Sequence, residues 1–347
     1  MFGGVSSKDI ATFTRQFGVM LKAGVPAVKC LRGLSEQATN KKFQKMIEEI
    51  GDDVESGLSL HGAFDKKKDV FGTLYVSMVR AGEEGGFLGD TLENIANWLD
   101  KSNAIQRKIK GAMAYPAVIF IVAVGVLIFM LAVIIPTFAG MFAGMGAELP
   151  GITKVVLGLS SFLRNYFWLL ILIIIALIIG VKYLKKNEKV QFVFDRFTLK
   201  LPIFGMLLRK TAISRFTSTM SSLLSSGVPV VDSLTITANT SGNKVIEKVI
   251  LSSAERIAAG ETIVGPLKES GIFPPLVTQL ISTGEESGQL PVMLEKISVF
   301  YDEEVDTAVD MLTSIIEPVM IVFMGGMVGI MLVAMYLPMF EVVSKVR

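Results

Sequence analysis

Gly24-Val25-Pro26 returns 203 positions later as Gly227-Val228-Pro229, and these two short segments decide how the chain is organised. A second pair agrees at a spacing of 202, where Gly82-Glu83-Glu84-Gly85-Gly86 matches Gly284-Glu285-Glu286-Ser287-Gly288. Self-similarity at a nearly fixed spacing indicates a structural unit that occurs more than once. The sequence therefore predicts two copies of one domain.

The residues around both segments predict helices. Apolar residues recur there at helical spacing and match between the copies. Before the Gly-Val-Pro segments they are Ile10, Phe13, Phe17, Met20 and Leu21 in the first copy and Ile213, Phe216, Met220, Leu223 and Leu224 in the second. After the Gly-Glu-Glu segments they are Leu88, Leu92, Ile95 and Leu99, matched by Leu290, Leu294, Ile297 and Tyr301. Pro26 and Pro229 are expected at the first position of a helix, where a missing N–H costs nothing.

Further helix breaks are expected at Ser56-Gly57 and near Phe71, and at Ala259-Gly260 and Pro274-Pro275 in the second copy. They divide each copy into about six helices. Neither copy contains a useful length of the alternating pattern that strands require. The predicted fold class is therefore all-α.

Three apolar stretches are long enough to cross a membrane. Ala117 to Ile135 and Val319 to Leu337 are runs of 19 residues without a charge, each between two prolines. A hydrocarbon layer needs about 20 helical residues. Phe167 to Val181 is shorter, but aromatic and lysine residues at its ends extend it. The outer two stretches belong to the repeat, and the unmatched middle one supplies the crossing that returns the chain to its starting side.

These observations predict an all-α membrane protein with two repeated cytoplasmic helical-bundle domains and three transmembrane helices. The expected division is 1–110 for domain 1, 111–136 for the first span, 137–165 for an extracytoplasmic loop, 166–185 for the second span, 186–316 for domain 2, 317–338 for the third span and 339–347 for an extracytoplasmic tail.

Basic residues predict the side on which the domains lie. Lysine and arginine cluster before the first span and after the second, while the connection between these spans has only Lys154 and Arg164. The positive-inside rule then places both domains and the N-terminus in the cytoplasm and the C-terminus outside. An acidic stretch before the third span, with Lys345 and Arg347 after it, has the opposite bias. Acidic residues weigh little in this rule, and early spans usually set the orientation.

Composition argues against catalysis and against metal or cofactor binding. The net charge of +2 gives no reason to expect direct nucleic-acid binding. Cys30 and His61 are the single cysteine and histidine, so disulfides and Cys/His metal clusters are not expected. Cys30 is expected in a core and His61 in a surface turn. No phosphate-binding loop, dinucleotide fingerprint or hydrolase motif is present, and the chain is expected not to be an enzyme.

An oligomeric small-solute transporter is the alternative function. Three spans per chain could form a pathway only between several copies. The span interiors lack acidic and basic residues, which weakens this alternative because ion-coupled transporters place such groups at mid-membrane.

Glu83, Glu84, Glu285 and Glu286 are the candidate partner-docking residues. Their segments join two helices, with glycines suited to a left-handed turn and acids at the start of the next helix, which would stabilise the fold by itself. The acids are also suited to docking a protein partner. Both interpretations are compatible.

A second candidate group lies where the outer spans enter the membrane, at Tyr115 and Pro116 and at the equivalent Glu317 and Pro318. An ionisable group near the bilayer is a candidate functional residue, although Glu317 at the rim can also reach water or cap a helix. Methionines at 130, 141, 145, 324, 327, 331 and 335 suit an adaptable helix-binding surface or ordinary packing. Gly325 and Gly329 add weak support for helix association.

Several of these motifs together resemble the type II secretion F protein family, which includes type IV pilus platform proteins. They are Phe13-Thr14-Arg15-Gln16 followed by Lys22-Ala23-Gly24-Val25-Pro26, both Gly-Glu-Glu-x-Gly-x-Leu segments, and Lys108-Ile109 through Tyr115-Pro116. The resemblance covers nearly the whole chain. Many members carry an additional stretch before the first repeat, which here starts at about Asp9.

The resemblance implies a platform protein of the inner membrane without catalysis of its own. Its expected partners are a hexameric assembly ATPase, pilin or pseudopilin subunits, other inner-membrane assembly proteins and the lipid bilayer. A homo-oligomer is expected, with a symmetric dimer favoured for a hub beneath a filament.

Overall fold

A computed structural model describes residues 4–144, 150–184 and 187–345. Every regular element in these ranges is helical, and three helices are long and apolar enough to cross a membrane, within Leu88–Met141, Gly151–Leu177 and Leu290–Pro338. The predicted all-α class with two repeated domains and three spanning helices is confirmed. Met145, Glu148, Lys185, Lys186 and Arg347 lie outside the described residues.

The chain divides into two compact units, 1–108 with 192–308 and 109–191 with 309–347. Domain 1, in the first unit, contains α1 to α6 and the start of α7. The bounds are α1 Ser7–Lys22, α2 Ala27–Gln37, α3 Lys41–Glu55, α4 Leu60–Asp65, α5 Lys68–Phe71, α6 Thr73–Gly85 and α7 Leu88–Phe129.

Local sequence explains how domain 1 begins. Ser6 and Asp9 form a reciprocal capping box at the start of α1, with both hydrogen bonds 3.1 Å long. Phe13 lies on the buried face of this helix, and its ring contacts those of Phe17, Phe43, Phe64 and Phe71 with centroids 5.5–6.4 Å apart. Each such ring contributes a large apolar area to the core. Cys30 is fully buried in this core, as expected.

Domain 2 repeats this arrangement. Its helices are α11 Phe204–Ser225, α12 Val230–Thr240, α13 Lys244–Ala258, α14 Val264–Glu269, α15 Pro275–Ser287 and the start of α16 Leu290–Lys345, preceded by α10 Glu188–Thr198. Between matched helices the spacing is 203 residues for α2 and α12 and 202 for α6 and α15. Phe216, the counterpart of Phe13, is buried against Phe273.

Several expected boundaries differ from the structure. Pro26 and Pro229 are the residues before α2 and α12, with extended ψ angles of 140° and 148°, rather than the first helical residues. Gly24 and Gly227 just before them have positive φ angles of 81° and 73°, which explains why glycine recurs there. The prolines continue this turn instead of opening the helix.

The prolines of the outer spans do not end helices either. Pro116 lies inside α7, and Pro318 and Pro338 lie inside α16. The expected loop 137–165 is helical over 137–144, in α8 Ile135–Gly144, and over 151–165, in α9 Gly151–Leu184. The helix α9 has non-helical angles at Tyr166, where the second span was expected to begin. In this part of the chain, Val156 of α9 packs in one apolar cluster with Leu131 and Ile135 of the first span.

Each domain has its own core, and part of domain 2 packs into the core of domain 1. Leu223, Val228 and Ile236 of domain 2 belong to the buried cluster of domain 1. Around them, Trp98 Nε1 donates to Thr219 Oγ1 at 3.1 Å and Asn94 Nδ2 donates to Ser226 Oγ at 3.4 Å. We call this contact of α6 and α7 with α11 and α12 the interdomain joint.

Two ion pairs extend the joint along α7 and α16, Lys101–Asp302 and Lys108–Asp306. Lys101 Nζ lies 2.8 Å from Ser298 Oγ and 2.7 Å from a carboxylate oxygen of Asp302. The side chains of Lys101 and Asp302 are only 25% and 26% exposed. The Lys101–Asp302 pair is therefore screened less than an ordinary surface ion pair.

In the second unit, two hydroxyl groups of α9 compensate for prolines in the outer spans. Pro136 follows a π-helical turn, Met130–Ile134, in which the Ile135 N–H donates to the Met130 carbonyl. The next carbonyl, of Leu131, would be matched by the N–H that proline lacks. Ser160 Oγ donates to this carbonyl instead.

The third span repeats this arrangement. Ala334 lies four residues before Pro338, so its carbonyl also loses its helical partner. Thr153 Oγ1 donates to this carbonyl at 2.8 Å. Ser160 and Thr153 are 2% and 6% exposed and lie beside an apolar cluster that includes Leu131 and Ala334. The unmatched helix thus satisfies an equivalent defect in each repeated span.

Candidate docking acids and membrane-rim residues

The Gly-Glu-Glu segments lie within helices, not in the connections between them. Residues 82–85 form the last turn of α6, and residues 284–287 form the last turn of α15. The acids were expected at the start of the following helix, and this expectation is wrong. Only the final glycines, Gly86 and Gly288, adopt the left-handed conformation, with φ angles of 76° and 67°.

Glu83 caps a different helix of its own domain. Its Oε1 accepts a hydrogen bond from the Leu60 N–H at 2.6 Å, and its Oε2 accepts one from the His61 N–H at 2.8 Å. The His61 ring nitrogen Nδ1 lies 2.7 Å from the same Oε2. These N–H groups are the unsatisfied donors at the start of α4. His61 is therefore a half-buried helical residue and not part of a surface turn.

Glu285 performs the equivalent task in domain 2. Its two carboxylate oxygens lie 2.9 and 3.2 Å from the N–H of Ile263, the residue before α14. Both copies therefore use the first acid of the segment to fix the start of the fourth helix. The occurrence of an acid at both Glu83 and Glu285 is therefore explained by the capping of a helix in each domain.

Hydrogen bonding changes the acidity of Glu83. Burial of the carboxyl raises its pKa. Hydrogen bonds from His61 and Leu60 lower the pKa by more than burial raises it, so the net pKa lies below the usual value. A lowered pKa in the folded state stabilises the protein above the unfolded value, about 4.3 for Glu, and this stabilisation is lost as the pH falls through the folded value.

We expect Glu83→Gln to be less stable than the wild type near neutral pH by about 1–2 kcal/mol. The difference should shrink below about pH 4, where the wild-type carboxylate also takes up a proton. Thermal unfolding of the full chain in detergent across this pH range measures it. Glu84→Gln is the matched control, with an expected change within about 0.5 kcal/mol. Equal effects of both substitutions would contradict the capping role.

The second acid of each segment points outward. Glu84 is 66% exposed, with Arg80 one turn away at 3.5 Å. Glu286 is also exposed and accepts a hydrogen bond from Ser282 Oγ at 2.9 Å. Glu84 lines a groove of about 770 Å³ between α6 and α12, together with Arg80, Phe87 and Asp232. The four candidate acids thus separate into two that cap helices and two that are accessible to a partner.

The membrane-rim residues lie on continuous helices of the second unit. Tyr115 is 59% exposed beside the buried Pro116 in α7. Glu317 and Pro318 are both exposed in α16. The side chain of Glu317 makes no hydrogen bond or ion pair with any residue that the structure describes. Its carboxylate can therefore meet water, lipid headgroups or another chain.

An apolar groove lies between the first and third spans. Its volume is about 280 Å³, and Met130, Met324, Met327 and Met331 line it together with valines of both helices. Methionine side chains are flexible and polarisable, so such a groove adapts to different apolar segments. Within the described ranges, no three His, Cys, Asp or Glu side chains come together as a metal site would require.

Sequence reasoning missed the interdomain joint. Trp98 lies next to the apolar stripe of Leu92, Ile95 and Leu99 and packs, partly buried, against the same cluster. A large aromatic residue next to an apolar stripe that already accounts for one packed face indicates a second packing surface on the same helix. The equivalent Phe300 carries the same signal in domain 2.

Comparison with known proteins defines the class to which this architecture belongs. A family model described as type II secretion system (T2SS), protein F matches the chain twice, at residues 13–136 and 216–338. The two matches start 203 residues apart and end 202 residues apart, in agreement with the internal repeat. The chain belongs to this family, and the resemblance noted in the sequence is confirmed.

Individual relatives cover the chain almost completely. It is 41% identical over 346 residues to the type IV pilus assembly protein PilC of Myxococcus xanthus, a match covering 100% of this chain and 83% of that protein. It is 40% identical over 342 residues to PilC of Thermus thermophilus, covering 98% of this chain and 84% of that protein. The type II secretion system protein F of Vibrio cholerae is 31% identical over 338 residues, covering 97% of this chain and 83% of that protein.

Proposed function

We propose that this chain is a non-enzymatic inner-membrane platform protein of a type IV pilus or type II secretion system. It couples a hexameric cytoplasmic ATPase to the passage of pilin or pseudopilin subunits into a filament, beside other inner-membrane assembly proteins. Both domains and the N-terminus lie in the cytoplasm, and the C-terminus lies outside. The observation that carries this proposal is the similarity, over nearly the full chain, to proteins named for pilus assembly and type II secretion.

The helices support a coupling role. The helices α7 and α16 both begin in the core of a domain, with Leu92 and Leu294 buried there. Both continue without a break in helical structure into an apolar span, over 42 and 56 residues respectively. A displacement of either domain therefore has a continuous helical connection into the membrane.

The Met-lined groove and the rim residues are the proposed site for the translocated subunit. The groove offers an apolar surface that adapts to a passing helix. Tyr115, Pro116, Glu317 and Pro318 lie where such a helix would meet the membrane surface. Glu317 offers a carboxylate to a basic group or terminal amine of the subunit.

Glu84 and Glu286 are the acids that we propose for ATPase docking, because their carboxylates are exposed while those of Glu83 and Glu285 cap helices. Glu84→Lys together with Glu286→Lys should weaken binding of the full-length protein in detergent to the ATPase of the same organism by tenfold or more, about 1.4 kcal/mol. Equilibrium binding of the purified proteins at fixed salt measures this effect.

Asp69→Lys with Glu255→Lys is the matched control, since both acids are exposed and lie on other helices, α5 and α13. These variants should bind as the wild type does. If all variants bind equally, docking lies on another surface. Failure of the wild type itself to bind would remove the coupling proposal.

A further inference from the structure

A cavity of about 200 Å³ lies in the interdomain joint, where residues of α7, α11 and α12 line it. Most of these residues are polar, and hydroxyl groups come from both domains. The two charged side chains that line the cavity, Lys101 and Arg215, are both basic. Such a volume is far larger than the roughly 10–15 Å³ that a single water requires. The cavity therefore has room for a small polar ligand.

Arg215 is a charged residue without a partner in this cavity. Its side chain is partly buried, and no residue that the structure describes accepts a hydrogen bond from its guanidinium or forms an ion pair with it. Burial lowers the pKa of Arg215 from its ordinary value, because removal from water disfavours the charged form. Guanidinium groups nevertheless stay protonated in proteins. A charge that is partly removed from water and has no counter-charge is costly, and a bound anion would offset this cost.

The backbone of domain 2 shapes the place of this guanidinium. Arg215 Nη1 reaches the connection between α12 and α13, where a Cβ added at Gly242 would lie only 2.9 Å from it. Gly242 also has a positive φ angle of 74°, which favours glycine. The side chain of Arg215 therefore packs against backbone beside the cavity that it lines.

Further donors without acceptors surround the same cavity. In the part of the chain that the structure describes, the hydroxyl groups of Ser102 and Ser218 form no hydrogen bond, although Ser218 is only 9% exposed. Thr219 Oγ1 accepts a hydrogen bond from Trp98, which leaves its own O–H available to donate. Buried polar groups usually have partners, so this group of free donors matches an acceptor such as an oxyanion.

The charge of Lys101 is already offset by an acid. Its Nζ lies 2.7 Å from one carboxylate oxygen of Asp302, and the other oxygen accepts a hydrogen bond from Ser214 Oγ at 2.5 Å. Both oxygens of Asp302 are therefore engaged. The positive charge of Arg215 remains without compensation and attracts anions to the cavity.

The equivalent place in domain 1 is not basic. Thr12 occupies the position that corresponds to Arg215, 203 residues earlier. The groove of about 290 Å³ that Thr12 lines has one base and one acid in its wall, Lys8 and Asp9. The repeated fold thus forms without an arginine at this position, and the guanidinium of domain 2 needs a separate explanation.

We propose that the cavity lined by Arg215 binds one phosphate group, carried by free phosphate or by a small phosphate monoester. A planar guanidinium matches phosphate through two parallel hydrogen bonds. Ser102 on α7 and Ser218 on α11 donate to the remaining oxygens. The bound group contacts both domains, and its binding therefore stabilises the joint by mass action. Neither the ATPase nor a filament subunit takes part in this binding.

Equilibrium dialysis of the full-length protein in detergent against radiolabelled inorganic phosphate tests this proposal. The wild type should bind one phosphate per chain, and Arg215→Gln should weaken binding by roughly tenfold or more, because charge-assisted hydrogen bonds are lost. Arg209→Gln is the matched control, since Arg209 is exposed on the same helix, and it should bind as the wild type does.

Competition against the label distinguishes the two sources of the phosphate group. Glycerol 3-phosphate that displaces the label at a lower concentration than unlabelled phosphate does would identify a monoester as the preferred ligand. The reverse order would identify free phosphate.

Thermal unfolding provides a second readout, which an arginine with a purely structural role would not give. In phosphate-free chloride buffer, Arg215→Gln should unfold at a temperature no lower than the wild type, because the substitution removes an uncompensated charge. Phosphate at equal ionic strength should raise the unfolding temperature of the wild type more than that of the variant. The response of the variant measures the general effect of phosphate on protein stability.

Ser218→Asp tests the same cavity if Arg215→Gln does not fold. The new carboxylate lies three residues from Arg215 on α11, where it can pair with the guanidinium and exclude phosphate. Equal binding by the wild type and both variants, or no binding by the wild type at millimolar phosphate, would overturn the proposal. Lower stability of Arg215→Gln in both buffers, with an unchanged response to phosphate, would show that the guanidinium only packs the joint.

Discussion

Trp98→Ala should lower the free energy of unfolding by about 2–4 kcal/mol, because the partly buried indole packs in the interdomain joint and its Nε1 donates to Thr219. Loss of the ring leaves a cavity next to the core of domain 1, where Leu223, Val228 and Ile236 of domain 2 also pack. We expect the domains to separate before either unfolds. Thermal unfolding in detergent measures the loss of stability, and faster hydrogen exchange in α11 and α12 locates it.

Phe300→Ala is the matched control for this substitution. The residue occupies the equivalent position of domain 2 but is 44% exposed within one chain. Stability of the solubilised single chain should therefore change by about 0.5 kcal/mol or less. A loss as large as that of Trp98→Ala would contradict the assignment of Trp98 to a joint that only one repeat completes.

Removal of both α9 hydroxyls has the second large expected effect. Thr153→Val with Ser160→Ala leaves the carbonyls of Ala334 and Leu131 without the donors that replace the missing proline N–H groups. Each unsatisfied buried carbonyl costs about 1–3 kcal/mol. Resistance of the detergent-solubilised chain to heat measures the combined loss.

Pro338→Ala provides the internal check. Alanine restores an N–H four residues after Ala334, so the carbonyl regains a helical partner. In that background, Thr153→Val should have a much smaller effect than in the wild type. An unchanged cost would show that Thr153 stabilises the spans by packing and not through this hydrogen bond.

Much of the fold could be predicted because the repeat constrains it twice. The Gly-Val-Pro and Gly-Glu-Glu segments aligned the two copies. Because both copies start on the same side of the membrane and each ends in a span, a third span between them was required. Boundaries were less predictable at prolines. In the sequence, Pro116, Pro318 and Pro338 mark the ends of the apolar stretches, yet the helices α7 and α16 continue through them. Whether an orphaned carbonyl finds a donor on another helix depends on tertiary packing, which a single sequence does not display.

The sequence predicted the four acids as one group of candidate docking residues. It did not predict which of them cap helices and which are exposed. Glu83 and Glu84 are adjacent in an acidic segment, and nothing local distinguishes them. The distinction arises because Glu83 faces the start of α4, where His61 lies 22 residues before Glu83 in sequence and close to it only after folding. The joint was missed for a similar reason, since its partners Trp98 and Thr219 are 121 residues apart.

The packing of domain 2 residues into the core of domain 1 has a consequence for biosynthesis. Domain 1 leaves the ribosome complete at about residue 108, but Ile236 at its joint is made later, after two spans have been inserted. At typical elongation rates this interval lasts roughly 6–25 s. During that time the apolar surface around Trp98 lies open to chaperones, proteases and other nascent chains. The fraction of chains that form a correct joint therefore depends on how well the cell protects the incomplete chain during this interval.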